Sequence, residues 1–144
     1  MSKIRIKITT EAYPENLKVI KDVVKSFCKA MKLSESDTHR ILFSVNESCS
    51  NVVHHAYSPD DKEKKLEVVL DGNPKRIKVE VIDRGRIFSL DNIPDILTRE
   101  YIEKSLKESG SLRLGIYCIR KLMDKVEIKK RGKEKVFSFV KYLT

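Results

Sequence analysis

No tryptophan occurs among the 144 residues, and glycine and proline number only five and four. That scarcity excludes collagen-like and low-complexity chains. Aromatic residues make up 7%, a sparse supply for the stacking platforms that hold single-stranded nucleic acid. Cysteine is confined to Cys28, Cys49 and Cys118. None forms a Cys-x-x-Cys pair, so the usual zinc-ligand spacing is missing. Each lies in an apolar stretch and reads as a small core residue, and an odd, sparse count suits a reducing compartment. No apolar run approaches the ~20 residues of a membrane span. The opening Met1-Ser2-Lys3-Ile4-Arg5-Ile6 alternates and holds no signal-peptide core. A cytoplasmic protein without membrane contact is the expectation. Gly-Lys-Ser/Thr is absent too, which excludes a P-loop nucleotide site.

What the sequence has in plenty is charge. Lys and Arg total 30 against 21 Asp and Glu, a formal net charge of +9. The two signs are interleaved along the chain, as on a surface laced with ion pairs, and a net charge alone specifies no partner. Direct nucleic-acid binding is therefore not the expectation. Hydrophobic residues reach 40%, too many for a disordered chain, and the length fits one domain spanning residues 1–144.

Periodicity places the elements. Ile4, Ile6 and Ile8 alternate with Lys3, Arg5 and Lys7, as in a half-buried strand. Pro14 suits a first helical turn, and Leu17, Ile20, Val24, Phe27 and Met31 extend an amphipathic helix over 14–32. Ser34 and Asp37 resemble a capping pair opening a second helix over 35–57. Leu66–Leu70 and Ile77–Val81 flank the turn Asp71-Gly72-Asn73-Pro74, a hairpin signature. Residues 86–111 are less regular, with short helices expected at 92–97 and 101–107. A helix at 114–123 and a closing hairpin around Arg131-Gly132-Lys133 complete the chain. This order predicts an α+β fold, a two-layer α/β sandwich with a mixed, mainly antiparallel sheet packed on helices.

Three places could carry chemistry. Glu47, Asn51 and His55 recur every fourth residue and share one face of the second helix. A carboxylate there can take a proton from a hydroxyl, and an amide oxygen is a hard ligand suited to Mg²⁺ beside phosphates. Asp83-Arg84-Gly85 ends a strand, where Asp83 can accept a hydrogen bond from an exocyclic amine and Gly85 lets backbone approach a flat ring. Gly110-Ser111-Leu112-Arg113-Leu114-Gly115 opens a helix, whose terminal amides favour phosphate. Each has an ordinary structural alternative: a solvated helix face, a strand-ending turn and a helix entry.

Their order resembles the N-box and two glycine boxes of the GHKL (histidine-kinase-like) ATPase superfamily. The likeness is greatest to the bacterial anti-sigma-factor serine/threonine kinases. Glu47-Ser48-Cys49-Ser50-Asn51-Val52-Val53-His54-His55-Ala56-Tyr57 is similar to their E-x-x-x-N-x-x-x-H-A-Y stretch. Val79–Gly85 is similar to their strand into D-x-G, and Leu114–Glu127 to their second glycine box with its L-M-D-x-V-E ending. The resemblance implies a Bergerat-type sandwich binding ATP and Mg²⁺ under a flexible lid at 86–111. It implies Glu47 as the general base and Asn51 as the Mg²⁺ ligand between the phosphates. Asp83 would read the adenine amine and Gly85 would pack near the base. Gly110, Ser111 and Gly115 would serve the phosphate side, with Arg86 or Arg113 adding positive charge. It further implies a sigma factor and an anti-sigma-factor antagonist as partners, and a homodimer, with residues 3–9 contributing to its interface. His55 and Tyr57 read as packing or capping residues at the helix end.

The sequence departs from the family pattern at three positions. Ile87 stands at the second glycine of the first box, and Ser111 and Arg113 stand where the second box commonly has glycines. A branched residue such as Ile disfavours positive backbone angles. Two functions therefore stay open: a serine kinase that also sequesters a sigma factor, and a non-catalytic regulator on the same fold with weak or lost ATP binding.

Overall fold

The computed structural model describes residues 3–86, 93–109 and 112–144. Strand β1 (Ile4–Glu11) is followed by helices α1 (Asn16–Ala30) and α2 (Glu35–Asn51), and a π-helical turn over Val52–Ala56 extends α2. Strands β2 (Lys65–Gly72) and β3 (Arg76–Asp83) form a hairpin, then come helices α3 (Arg99–Ser109) and α4 (Leu112–Leu122), and strands β4 (Lys125–Arg131) and β5 (Glu134–Tyr142) close the chain.

Local chemistry accounts for the boundaries. Ser34 caps α2, its hydroxyl accepting from Asp37 N at 3.1 Å, which satisfies one of the free amides of the first turn. Helix α1 ends where Lys32 turns left-handed at φ 56°, with Leu33 N returning to the Cys28 carbonyl at 3.2 Å, a Schellman-type stop. At the β2–β3 hairpin the Asn73 side chain accepts from Lys75 N and Arg76 N. The β4–β5 turn uses Gly132 at φ 64°.

The strands make one five-stranded sheet in the order β1-β2-β3-β5-β4, antiparallel throughout. The helices cover one face. There Ile20, Val24 and Phe27 of α1, Ile41 and Val45 of α2 and Ile119 of α4 close over Leu66, Val68, Leu70, Ile77, Val79 and Phe139. Each large apolar side chain so buried contributes about 1.5–3 kcal/mol. Cys28 and Cys49 belong to this core, and burial pushes their thiols up to about 11 and about 12. The opposite face carries a small cluster of Val69, Ile82 and Val136 among cross-strand ion pairs, Arg5–Asp71, Lys7–Glu67 and Arg131–Glu80. Among the described residues no helix is long and apolar enough to cross a membrane.

Two expectations shift. The short helix at 92–97 does not form in its described part, since 93–98 is irregular. Pro94 weighs against it, because a proline disfavours helical backbone at the residue before it, Ile93. The helix at 101–107 instead runs from Arg99, where Thr98 Oγ1 accepts from Tyr101 N at 3.1 Å.

Candidate functional site

The Glu47–Asn51 face of α2 is covered, not solvated. Ser44, Ser48 and Asn51 are buried and Glu47 is half-buried. Helix α4 packs across this face with Gly115 against the Glu47 carboxylate: a Cβ on Gly115 would overlap Glu47 Oε2 and stand 3.9 Å from Asn51 Nδ2. Cys118, a turn further along α4, is half-buried, and its thiol is raised first by burial and then by the negative charge of Glu47. Carboxylate, amide and the first turn of α4 therefore meet in one place. Free amides in such a first turn attract anions.

Beyond Asn51 the chain winds as a π-helical turn. The wider turn breaks the 3.6-residue register, so His55 does not continue the Glu47–Asn51 line as an α-helix would have it. Its carbonyl instead accepts from Arg86 Nη2 at 2.9 Å. Burial, then the neighbouring charges of His54 and Arg86, holds its imidazole below the usual value. The next carbonyl, that of Ala56, accepts from Arg86 N at 2.9 Å. Gly85 lies directly on that carbonyl, and any Cβ there would overlap the Ala56 backbone. Tyr57 fastens the same junction, its hydroxyl donating to the Lys65 carbonyl at 2.5 Å and accepting from Arg84 N at 2.8 Å. The packing role expected for Tyr57 is what its hydrogen bonds describe.

Asp83 ends β3 and is 1% exposed. Its Oδ1 accepts from Gly85 N at 2.8 Å. Its Oδ2 is buried and accepts no hydrogen bond, although Lys135 Nζ forms an ion pair with it at 3.2 Å. Lys135 faces Asp83 in the β3–β5 register and donates to the Arg86 carbonyl at 2.8 Å. Burial raises Asp83 against the opposing effects of Lys135 and the Gly85 amide. Burial likewise lowers Lys135 against the pull of Asp83.

A buried carboxylate oxygen without a hydrogen bond is complementary to an amine N–H, so Asp83 fits an exocyclic amine such as that of adenine. Among the described residues no group of three or more His, Cys, Asp and Glu could hold a metal ion. A Mg²⁺ ion held by Asn51 would need phosphate and water oxygens for its remaining ligands, the usual arrangement for this cation.

The structure thus brings Glu47, Asn51 and Gly115 together, and brings Asp83, Gly85 and Arg86 together around the π-helical turn at the end of the same helix. Arg113 lies half-buried in the first turn of α4. Gly110, Ser111 and Ile87 lie outside the described residues. The residue that sequence reasoning missed is Lys135. One signal was available: Lys135, Phe137 and Phe139 share a period of two, so a lysine occupies a core-facing position of a strand.

Comparison with known proteins gives the family and the fold. The family model for the histidine kinase-like ATPase domain matches residues 10–141. The serine-protein kinase RsbW of Bacillus cereus (strain AH820) is 28% identical over 126 residues, covering 88% of this chain and 76% of that protein. RsbW of Bacillus licheniformis is likewise 28% identical over 126 residues, covering 85% of this chain and 76% of that protein. Two solved structures share the fold. The RsbU and RsbW domains of Rv1364c from Mycobacterium tuberculosis match with a TM-score of 0.66 at 16% identity, over 96% of this chain and 32% of that longer chain. The SiaB–SiaC complex from Pseudomonas aeruginosa matches with a TM-score of 0.57 at 14% identity, over 96% of this chain and 89% of that chain.

Proposed function

This chain belongs to the histidine kinase-like ATPase domain family, and from that premise we propose that it is an ATP- and Mg²⁺-dependent serine kinase that regulates a sigma factor. Its protein substrate is a serine of an anti-sigma-factor antagonist, and in the absence of that antagonist it sequesters the sigma factor. The similarity to the serine-protein kinase RsbW supports the kinase half of the reading. The observation that carries nucleotide binding is Asp83, whose buried Oδ2 lacks a hydrogen bond.

Bound ATP with Mg²⁺ supplies the transferable phosphoryl group and neutralises its charge. Asp83 accepts the exocyclic amine, and Gly85, seated on the Ala56 carbonyl, holds the strand end against the helix beside it. Asn51 presents its amide oxygen to the cation. Glu47 would take the proton of the acceptor serine hydroxyl as that oxygen bonds to the γ-phosphorus and the phosphorus–oxygen bond to the leaving ADP breaks, and the half-buried carboxylate is held in place by α4 across it. Arg86 and Arg113 add positive charge for phosphate oxygens, while residues 86–111 form the lid. Protein partners, not nucleic acid, then meet the basic surface. A homodimer using β1, one of the two edge strands of the sheet, completes the proposal.

Incubation with labelled ATP and the purified antagonist tests it. Wild type transfers phosphate to a serine, and Glu47→Gln loses transfer by about 10²–10⁴-fold while still binding ATP. Equal transfer by Glu47→Gln would remove Glu47 as the base. Ile87, Ser111 and Arg113 favour the second reading, a sigma-binding module with weak ATP affinity. Calorimetry separates the two, since Mg²⁺-dependent ATP binding lost in Asp83→Ala supports the first.

A further inference from the structure

Lys135 is 3% exposed, and a lysine is seldom so deeply buried unless it is paired. It projects from β5 opposite Asp83, and its ammonium touches two parts of the candidate base pocket at once. One is Asp83 Oδ2 at 3.2 Å; the other is the Arg86 carbonyl at 2.8 Å. The first contact compensates charge without giving Oδ2 a hydrogen bond. The second ties the strand to the loop that leaves Asp83.

We propose that Lys135 is the positioning residue for base recognition: it keeps Asp83 an ionised hydrogen-bond acceptor for the exocyclic amine of the nucleotide and locks the Arg84–Arg86 loop in place beside it. This rests on the nucleotide reading above and adds a residue and a regulation to it. A carboxyl group buried alone neutralises rather than stay charged. Protonated, Asp83 becomes a donor facing the donor N–H of the amine, and recognition fails. Lys135 supplies the opposing charge from inside the protein.

The groups around Asp83 are few. Lys135 faces it from β5, Tyr57 lies close enough to feel its charge, and Arg84 and Arg86 flank it on the loop. Its β2 partner in the sheet is the apolar Leu66. His55 meets Arg86 and is itself titratable, but it is common to wild type and Lys135 variants. A comparison between them therefore isolates the lysine.

Two measurements test the proposal. In the first, the carboxyl resonance of Asp83 is titrated by NMR in the free protein. Lys135→Met should move its midpoint up by about one pH unit or more, and Lys135→Arg should leave it near wild type. An unchanged midpoint in Lys135→Met overturns the proposal, whether or not ATP binds. In the second, ATP affinity is measured by calorimetry between pH 5 and 9. Lys135→Met should bind up to about tenfold more weakly than wild type where pH lies a unit below its shifted Asp83 midpoint and recover as pH rises through that midpoint, while Asp83→Asn should stay weak throughout. The Asp83→Asn/Lys135→Met pair should lose no more than Asp83→Asn alone, because the lysine acts through the carboxylate. Full additivity, or a wild-type pH profile in Lys135→Met, overturns the proposal. Failure of wild type to bind ATP at any pH would instead overturn the nucleotide reading, and with it the base-recognition role. The variants' far-UV spectra and thermal melts show that they are folded, and methionine matches the lysine stem in length.

Discussion

Gly115 of α4 lies so close to the Glu47 carboxylate of α2 that even a methyl group on it would overlap Oε2. The glycine thus lets one helix seat on the candidate catalytic base of another. Gly115→Ala separates packing from chemistry. The overlapped atom is the tip of a flexible side chain, which can rotate away, and alanine favours a helix over glycine by up to about 1 kcal/mol. Stability should therefore change by less than about 1 kcal/mol. Displacing the base should lower phosphate transfer by about 10²-fold. Urea denaturation and a transfer assay check the two expectations. A variant that unfolds, or one that transfers at the wild-type rate, would show that Gly115 does something else.

Tyr57→Phe tests the junction between helix and loop. Loss of the hydroxyl removes the bonds to the Lys65 carbonyl and Arg84 N. The junction is partly solvated, so water replaces some of them, and the net cost should be about 1–2 kcal/mol. ATP affinity should weaken several-fold as the Arg84–Arg86 loop loosens, in line with the usual 1–3 kcal/mol cost of an unsatisfied donor. Chemical denaturation and calorimetry report each effect. No change in either would count against Tyr57 as a fastener.

Asp124 gives stability a dependence on acid. Its Oδ2 accepts from Tyr142 N at 2.7 Å and pairs with Lys141 at 3.1 Å. The Tyr142 amide first, joined by Lys141, holds the carboxyl below its ordinary 3.8 against the opposing effect of burial. The folded protein therefore binds fewer protons than the unfolded chain in that range. The contribution is complete above about pH 4 and is lost as pH falls through the lowered folded value. Asp124→Asn should lower Tm by roughly 1–4 °C at pH 7, a small figure because the group is largely solvated. The gap from wild type should close as pH falls below about 4. A gap independent of pH would assign the effect to shape instead of charge.

Much of the fold was legible because its cues are local. Alternating isoleucines mark β1, Ser34 marks the start of α2, and Gly132 marks the last turn. The Leu-Met-Asp segment reads differently with the structure in hand: Met123 is buried and Asp124 anchors β5, so these residues build the frame around the site. The expected helix over 92–97 failed at Pro94, where a backbone rule outweighed composition. The expected α-helical line through His55 failed because the π-helical turn shifts the phase after Asn51, and nothing in Val52-Val53-His54-His55-Ala56 signals such a turn.

The sequence by itself determined the elements, the family resemblance and three sets of candidate residues, since helix period, strand period and motif order depend on neighbours along the chain. Only the tertiary structure decided how those residues meet. It covered the Glu47–Asn51 face with α4, seated Gly85 on the Ala56 carbonyl, and set Lys135 against Asp83. Those relationships join positions dozens of residues apart through the packing of helices and the register of β3 with β5. The few glycines remarked at the outset carry part of that result. Gly85 and Gly115 stand at two of these close approaches: a larger residue at Gly85 would collide with the Ala56 backbone, while one at Gly115 would displace the Glu47 carboxylate.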